Sequence, residues 1–108
     1  MVKFGLKEET IDKINAVFAK YPEVEEVIVY GSRAKGNYRE GSDIDITLKG
    51  NTLKDEIRSK IWLDIDDLNT PYLFDISIFE KLNAPSLEEH IKRVGKVFYR
   101  KVVHHDIF

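Results

Sequence analysis

Apolar residues first recur at helical spacing over residues 6–21, where Ile11, Ile14, Val17, Phe18 and Tyr21 share a face and Pro22 closes the run. Residues 24–30 are short and rich in Val and Ile, which predicts a buried strand ending at Gly31. Ser32–Lys35 fits a brief helical turn, and residues 36–42, with Gly, Asn and Ser, read as a loop. The period then changes. In Asp43-Ile44-Asp45-Ile46-Thr47-Leu48 polar and apolar residues alternate strictly, which predicts a strand with one face buried, stopped by Gly50 and Asn51.

Thr52 and Asp55 have the spacing of a capping box, and Leu53, Ile57, Ile61, Ile65 and Leu68 mark the face of a second long helix. Pro71 opens a strand over residues 72–79, with Phe74, Ile76 and Ile78 on one side and Asp75 and Ser77 on the other. Ser86 and Glu89 form a second capping-box pattern ahead of Leu87, Ile91 and Val94, and Gly95 is a helix stop. Residues 96–99 read as a last extended piece. Interleaved helices and strands predict a layered α/β (α+β) domain, a small mixed sheet flanked by helices, with no repeats or linkers.

Composition narrows the class. A chain of 108 residues with 43% hydrophobic and 33% charged residues suits one folded domain, 1–108, with a core over residues 6–100 and a tail at 101–108. A net charge of -2 and the lack of any Lys/Arg block argue against an extended nucleic-acid surface. The absence of cysteine excludes disulfides and thiolate metal sites and favours the cytoplasm. The first residues carry no signal-peptide pattern, and no apolar run is long enough to span a membrane.

The chemistry is concentrated in residues 30–50. On a strand, Asp43 and Asp45 point the same way about 6.7 Å apart. Their repulsion is on the order of 2 kcal/mol at an effective dielectric of 20, so a fold that keeps them parallel favours a shared cation. Oxygen-only ligands suit Mg²⁺ or Mn²⁺ together with a nucleotide's phosphates. Upstream, Gly31 and Ser32 stand where a buried strand turns into a helix start. There the backbone can approach a phosphate, the Ser32 hydroxyl can donate to it, and Arg33 and Lys35 add positive charge. Two familiar motifs fail: Asn37 and Tyr38 occupy the Lys and Ser/Thr places of a P-loop, and no EF-hand ligands follow Asp43.

Gly31-Ser32, ten residues, then Asp43-Ile44-Asp45, in the string GSRAKG...GSDIDI after the strand VIVYG, resembles the minimal nucleotidyltransferase (MNT) family of the DNA polymerase beta superfamily. Asp75 in YLFDISIF stands at that family's third carboxylate, and Ile91, Gly95 and Tyr99 in HIKRVGKVFY match its last helix and strand. The likeness covers residues 6–100. It implies an enzyme in which an acceptor hydroxyl attacks the α-phosphorus of a nucleoside triphosphate and pyrophosphate leaves. By that resemblance Gly31 and Ser32 grip the β/γ phosphates, with Arg33 and Lys35 as candidate neutralising cations. Asp43, Asp45 and Asp75 are the catalytic and metal-binding residues, Asp75 also helping to deprotonate the acceptor.

The resemblance further implies ATP as substrate, Mg²⁺ or Mn²⁺ as cofactor, and a HEPN-domain toxin as partner, whose tyrosine is adenylylated by this antitoxin. Two alternatives are inhibition of the partner by contact alone, and transfer to a small molecule or RNA. Outside this set, Asp64, Asp66 and Asp67 crowd the end of the second long helix against its dipole, as a solvated end or a contact for a basic partner. Trp62 beside the core stripe reads as core packing ahead of a subunit contact, and His90 as a surface residue. Arg100 and His105 have the spacing of a HEPN ribonuclease motif, by chance in a tail.

Overall fold

The computed structural model describes residues 2–39 and 41–101. It opens with a hairpin of β1 (Val2–Lys3) and β2 (Leu6–Lys7), joined by Phe4 and Gly5, both at positive φ. Helix α1 (Glu8–Ala19) follows, then β3 (Glu26–Tyr30), the single turn α2 (Ser32–Lys35) and β4 (Ile44–Lys49). Helix α3 (Asp55–Asp66) leads to β5 (Phe74–Ile78), a 3-10 turn at Phe79–Lys81, α4 (Pro85–Val94) and β6 (Lys96–Arg100). The first helix therefore starts two residues later than its apolar pattern suggests, because Leu6 belongs to the hairpin and is fully buried there.

The main sheet has the order β5-β4-β3-β6 and is mixed. Strand β3 pairs antiparallel with β4 and β6, and β4 pairs parallel with β5 through the α3 crossover. Period-two alternation places Val27 and Val29, Ile44, Ile46 and Leu48, and Ile76 and Ile78 in one cluster with Ile14, Val17 and Phe18 of α1 and Ile61 and Ile65 of α3. On the other side α4 covers β3 through the buried Ile91. Thr47, expected on a solvated face, is buried too, its hydroxyl 3.4 Å from the Ser77 carbonyl. Among the described residues no helix is long and apolar enough to cross a membrane.

Neither capping box forms. Helix α3 has Lys54 as its N-cap and α4 has Ala84 with Pro85 next, and neither has a side-chain cap bond. A cap is worth about 1 kcal/mol, whereas each buried Ile contributes about 2 kcal/mol. The need to aim Ile61, Ile65 and Ile91 at the sheet outweighs the caps and sets where these helices begin.

A polar tie joins the turn after α1 to α3: the Tyr21 hydroxyl donates to Asp64, which also pairs with Lys20 at 3.3 Å. The hydrogen bond to Asp64 pushes the Tyr21 hydroxyl up to about 12, and the same bond holds the Asp64 carboxyl below its ordinary range. The raised tyrosine value means that this stabilisation is complete below pH 10 and is lost as pH climbs through 12. The lowered carboxyl value means that it also fades as pH falls below about 4. Tyr21→Phe is therefore expected to lower stability at pH 7 by about 1 kcal/mol. Urea titrations of the two proteins should show that gap narrowing above pH 10, and a gap independent of pH would refute the linkage.

Candidate active site

Strand β3 ends at Tyr30, and the chain then turns through Gly31 at φ 75 and ψ -154 into α2. Antiparallel register sets Tyr30 opposite Asp45, and parallel register sets Asp45 opposite Asp75. Three residues far apart in the chain thus form one row across the sheet. The turn closes onto that row, since a Cβ built on Gly31 would stand 2.7 Å from Asp45 Oδ2. Glycine is required twice here, for a backbone conformation that side chains rarely adopt and for room beside the carboxylate.

Asp45 is half-buried, whereas Asp43 and Asp75 are exposed. Burial pushes the Asp45 carboxyl up, and the negative charges of Asp75 and Asp43 push it in the same direction. Asp43 precedes β4, so the strand begins one residue later than its alternation suggests. Burial likewise raises the Tyr30 hydroxyl, against a lowering by nearby Ser77 and with further raising by Asp45 and Asp75. Ser77 Oγ is buried beside it without a hydrogen bond of acceptable geometry among the described residues. Tyr30 and Ser77 were not singled out as site residues from the sequence. Only the register, which aligns three strands, reveals them.

Among the described residues no three His, Cys, Asp or Glu side chains are gathered closely enough to hold a metal ion by themselves. The donor set at this row nevertheless fits a hard divalent cation, because it is all oxygen and the charges of Asp75 and Asp43 bear on Asp45. Substrate phosphates and water supply the remaining ligands in sites of that kind.

Arg33 is placed differently from its sequence-based role as a phosphate neutraliser. It is 3% exposed, donating from Nη1 to the Phe4 carbonyl at 3.1 Å and from Nη2 to the Ser42 carbonyl at 2.8 Å. Its guanidinium lies over the rings of Tyr38, at 4.6 Å, and Tyr72, at 5.3 Å. The side chain ties the hairpin and the loop before β4 to the Gly31 turn, so it positions the site instead of facing it. Arg33→Lys cannot bridge both carbonyls and lie between two rings at once, and should lower stability by about 2 kcal/mol. Thermal melting against wild type measures that loss, and an unchanged midpoint would contradict the strut. Lys35 is exposed.

Of the other candidates, Trp62 is 42% exposed and does not pack into the core as expected. Half-buried His90 lies on α4. Arg100 pairs with Glu26 at 2.8 and 3.0 Å, and His105 lies outside the described residues.

The family model described as polymerase beta, nucleotidyltransferase matches residues 12–102. No curated protein matches the chain significantly. Among solved structures, the chain is similar to one of a toxin-antitoxin with AMP-PNP, at 21% identity and a TM-score of 0.67, covering 89% of this chain and 75% of that one. It is also similar to a chain of a tri-AMPylated Shewanella oneidensis HEPN toxin in complex with an MNT antitoxin. There the identity is 17% and the TM-score 0.63, with 87% and 72% covered. A putative nucleotidyltransferase from Sulfolobus solfataricus gives 22% and 0.50, with 84% and 77% covered. At these identities the structural likeness establishes a common fold.

Proposed function

The chain belongs to the polymerase beta nucleotidyltransferase family, and on that premise we propose that it transfers AMP from ATP to a tyrosine hydroxyl of a HEPN-type toxin, acting as its antitoxin in the cytoplasm. The observation that carries this reading is the contact of the Gly31 turn with Asp45, in register with Asp75. A phosphate-approaching backbone and a carboxylate pair thereby occupy one end of one sheet. The solved toxin-antitoxin complexes, one with AMP-PNP and one with an AMPylated HEPN toxin, support the choice of nucleotide and acceptor.

Gly31 and Ser32 bind the β/γ phosphates through backbone N-H groups and the Ser32 hydroxyl, and Lys35 adds a screened positive charge. Asp43, Asp45 and Asp75 would hold Mg²⁺ or Mn²⁺, which when bound neutralises the triphosphate's charge. Asp75, exposed at the edge strand, accepts the proton of the tyrosine hydroxyl. The hydroxyl oxygen then bonds to the α-phosphorus, the bond from that phosphorus to the β-bridging oxygen breaks, and pyrophosphate leaves. Tyr30, opposite Asp45 in the row, is itself buried.

The test is transfer of label from α-³²P-ATP to a co-expressed HEPN-domain protein in the presence of Mg²⁺. Labelled tyrosine with wild type and none with Asp43→Asn is the expected result. Inhibition of the partner without any label would instead mean action by contact, and efficient labelling of an aminoglycoside or RNA without a protein partner would redirect the activity.

A further inference from the structure

We propose that Trp62, Leu63 and Leu73 form the seat of the acceptor protein, binding an apolar segment of it flanked by basic side chains. The inference rests on the transfer to a HEPN-type protein proposed above and identifies where that protein docks. Large apolar side chains are left in solvent here to an unusual degree: Trp62 is 42% exposed, Leu63 56% and Leu73 72%. They are continuous. Trp62 and Leu73 line one shallow cavity with Phe74, and Trp62 and Leu63 line the depression beside it along α3. Contiguous exposed apolar patches with polar rims mark interaction sites, and tryptophan is enriched among the residues that anchor protein interfaces.

The position links the patch to the chemistry. The Leu73 carbonyl accepts the backbone N-H of Ile44 at 2.9 Å, and Ile44 lies between Asp43 and Asp45. Leu73, the residue just before β5, is also two residues from Asp75, about 7 Å if the chain is extended there. A protein seated on Leu73 therefore brings its surface to the row of acids.

Size and charge select the occupant. Beside the depression of about 320 Å³ lined by Arg58, Ser59, Trp62 and Leu63, the cavity that Trp62 shares with Leu73 is only about 50 Å³, far below the roughly 300 Å³ of a small-molecule site. It suits the end of one apolar side chain. Its rim is acidic: Asp66 lines the cavity, Asp67 follows it, and both crowd the negative end of α3, whose last turn has no basic residue. Lys20 neutralises Asp64, but neither Asp66 nor Asp67 has an ion pair among the described residues. Nucleic acid is repelled by such a rim. A second copy packed face to face would set the same carboxylates against each other. A protein segment with an apolar anchor and flanking Arg or Lys satisfies both features.

The experiment compares wild type, Trp62→Ala/Leu73→Ser, Asp66→Lys/Asp67→Lys and Asp45→Asn, using the co-expressed HEPN-domain protein as probe. Direct binding is read by calorimetry, AMP transfer by KM and kcat, and folding by circular dichroism. Trp62 is the sole tryptophan, so its emission in wild type should shift to the blue on binding. Each patch variant, folded, should bind at least tenfold more weakly and raise KM about tenfold with kcat kept. Asp45→Asn should bind normally and transfer nothing. Wild type that binds through this patch without transferring would refute the proposed activity and leave the docking site standing. Patch variants with wild-type binding and KM would overturn the docking site alone. A wild type that does not bind the probe, or that forms a dimer dissolved by the Trp62 variant, also overturns it.

Discussion

Asp45→Asn should abolish AMP transfer, by about a thousandfold or more, and should leave the protein melting no lower than wild type. The two effects share one cause. Asp45 is half-buried and faces the like charges of Asp75 and Asp43, all of which disfavour its ionised form. A folded-state carboxyl value above the unfolded one means that the ionised side chain opposes folding at neutral pH. That penalty is relieved as pH falls and the carboxyl takes up its proton. The neutral, near-isosteric amide removes the penalty together with the charge on which nucleotide chemistry depends. In metal-free buffer, the stability advantage of Asp45→Asn should thus be largest at pH 7 and close as pH approaches 4. A variant that transfers at the wild-type rate, or melts clearly below wild type at pH 7, contradicts the assignment. Strain tolerated for activity is a common signature of functional sites.

Gly31→Ala carries the second large effect, a stability loss of about 3 kcal/mol with loss of nucleotide binding. The conformation at φ 75 and ψ -154 is nearly confined to glycine and accounts for about 1–3 kcal/mol. The added methyl would also meet Asp45 Oδ2 at 2.7 Å, so the carboxylate must move away from the turn. Gly36→Ala is the control. It has φ 83 but nothing within 4 Å of its would-be Cβ, and should lose only about 1 kcal/mol from backbone strain. Denaturant midpoints and binding of a non-hydrolysable ATP analogue compare the two. Equal losses would mean that the turn does not press on Asp45.

Most of the sheet was legible in advance because strands β3, β4 and β5 announce themselves by their apolar content or alternation. The amino-terminal hairpin was not. Strands of two residues contain no period to detect, and Leu6 read equally well as the first turn of α1. Trp62 shows a similar limit: its place one residue from Ile61 on α3 resembles a core position, yet the helix faces the sheet through Ile61 and Ile65 and turns Trp62 outward. The burial of Arg33 is not legible in the sequence, because burial of a cation depends on partners distant in the chain, here two carbonyls and the rings of Tyr38 and Tyr72.

The elements around the site, and the residue types at the turn and on the strands, can be read from the chain before it folds. Those features depend on backbone preference and on periods of two or 3.6 residues, which are local. Long-range packing is what sets Tyr30, Asp45 and Asp75 in one row, makes Arg33 a strut, and brings Trp62 and Leu73 to one surface cavity. Strand order and register arise from collective packing of one core, and no single segment encodes them.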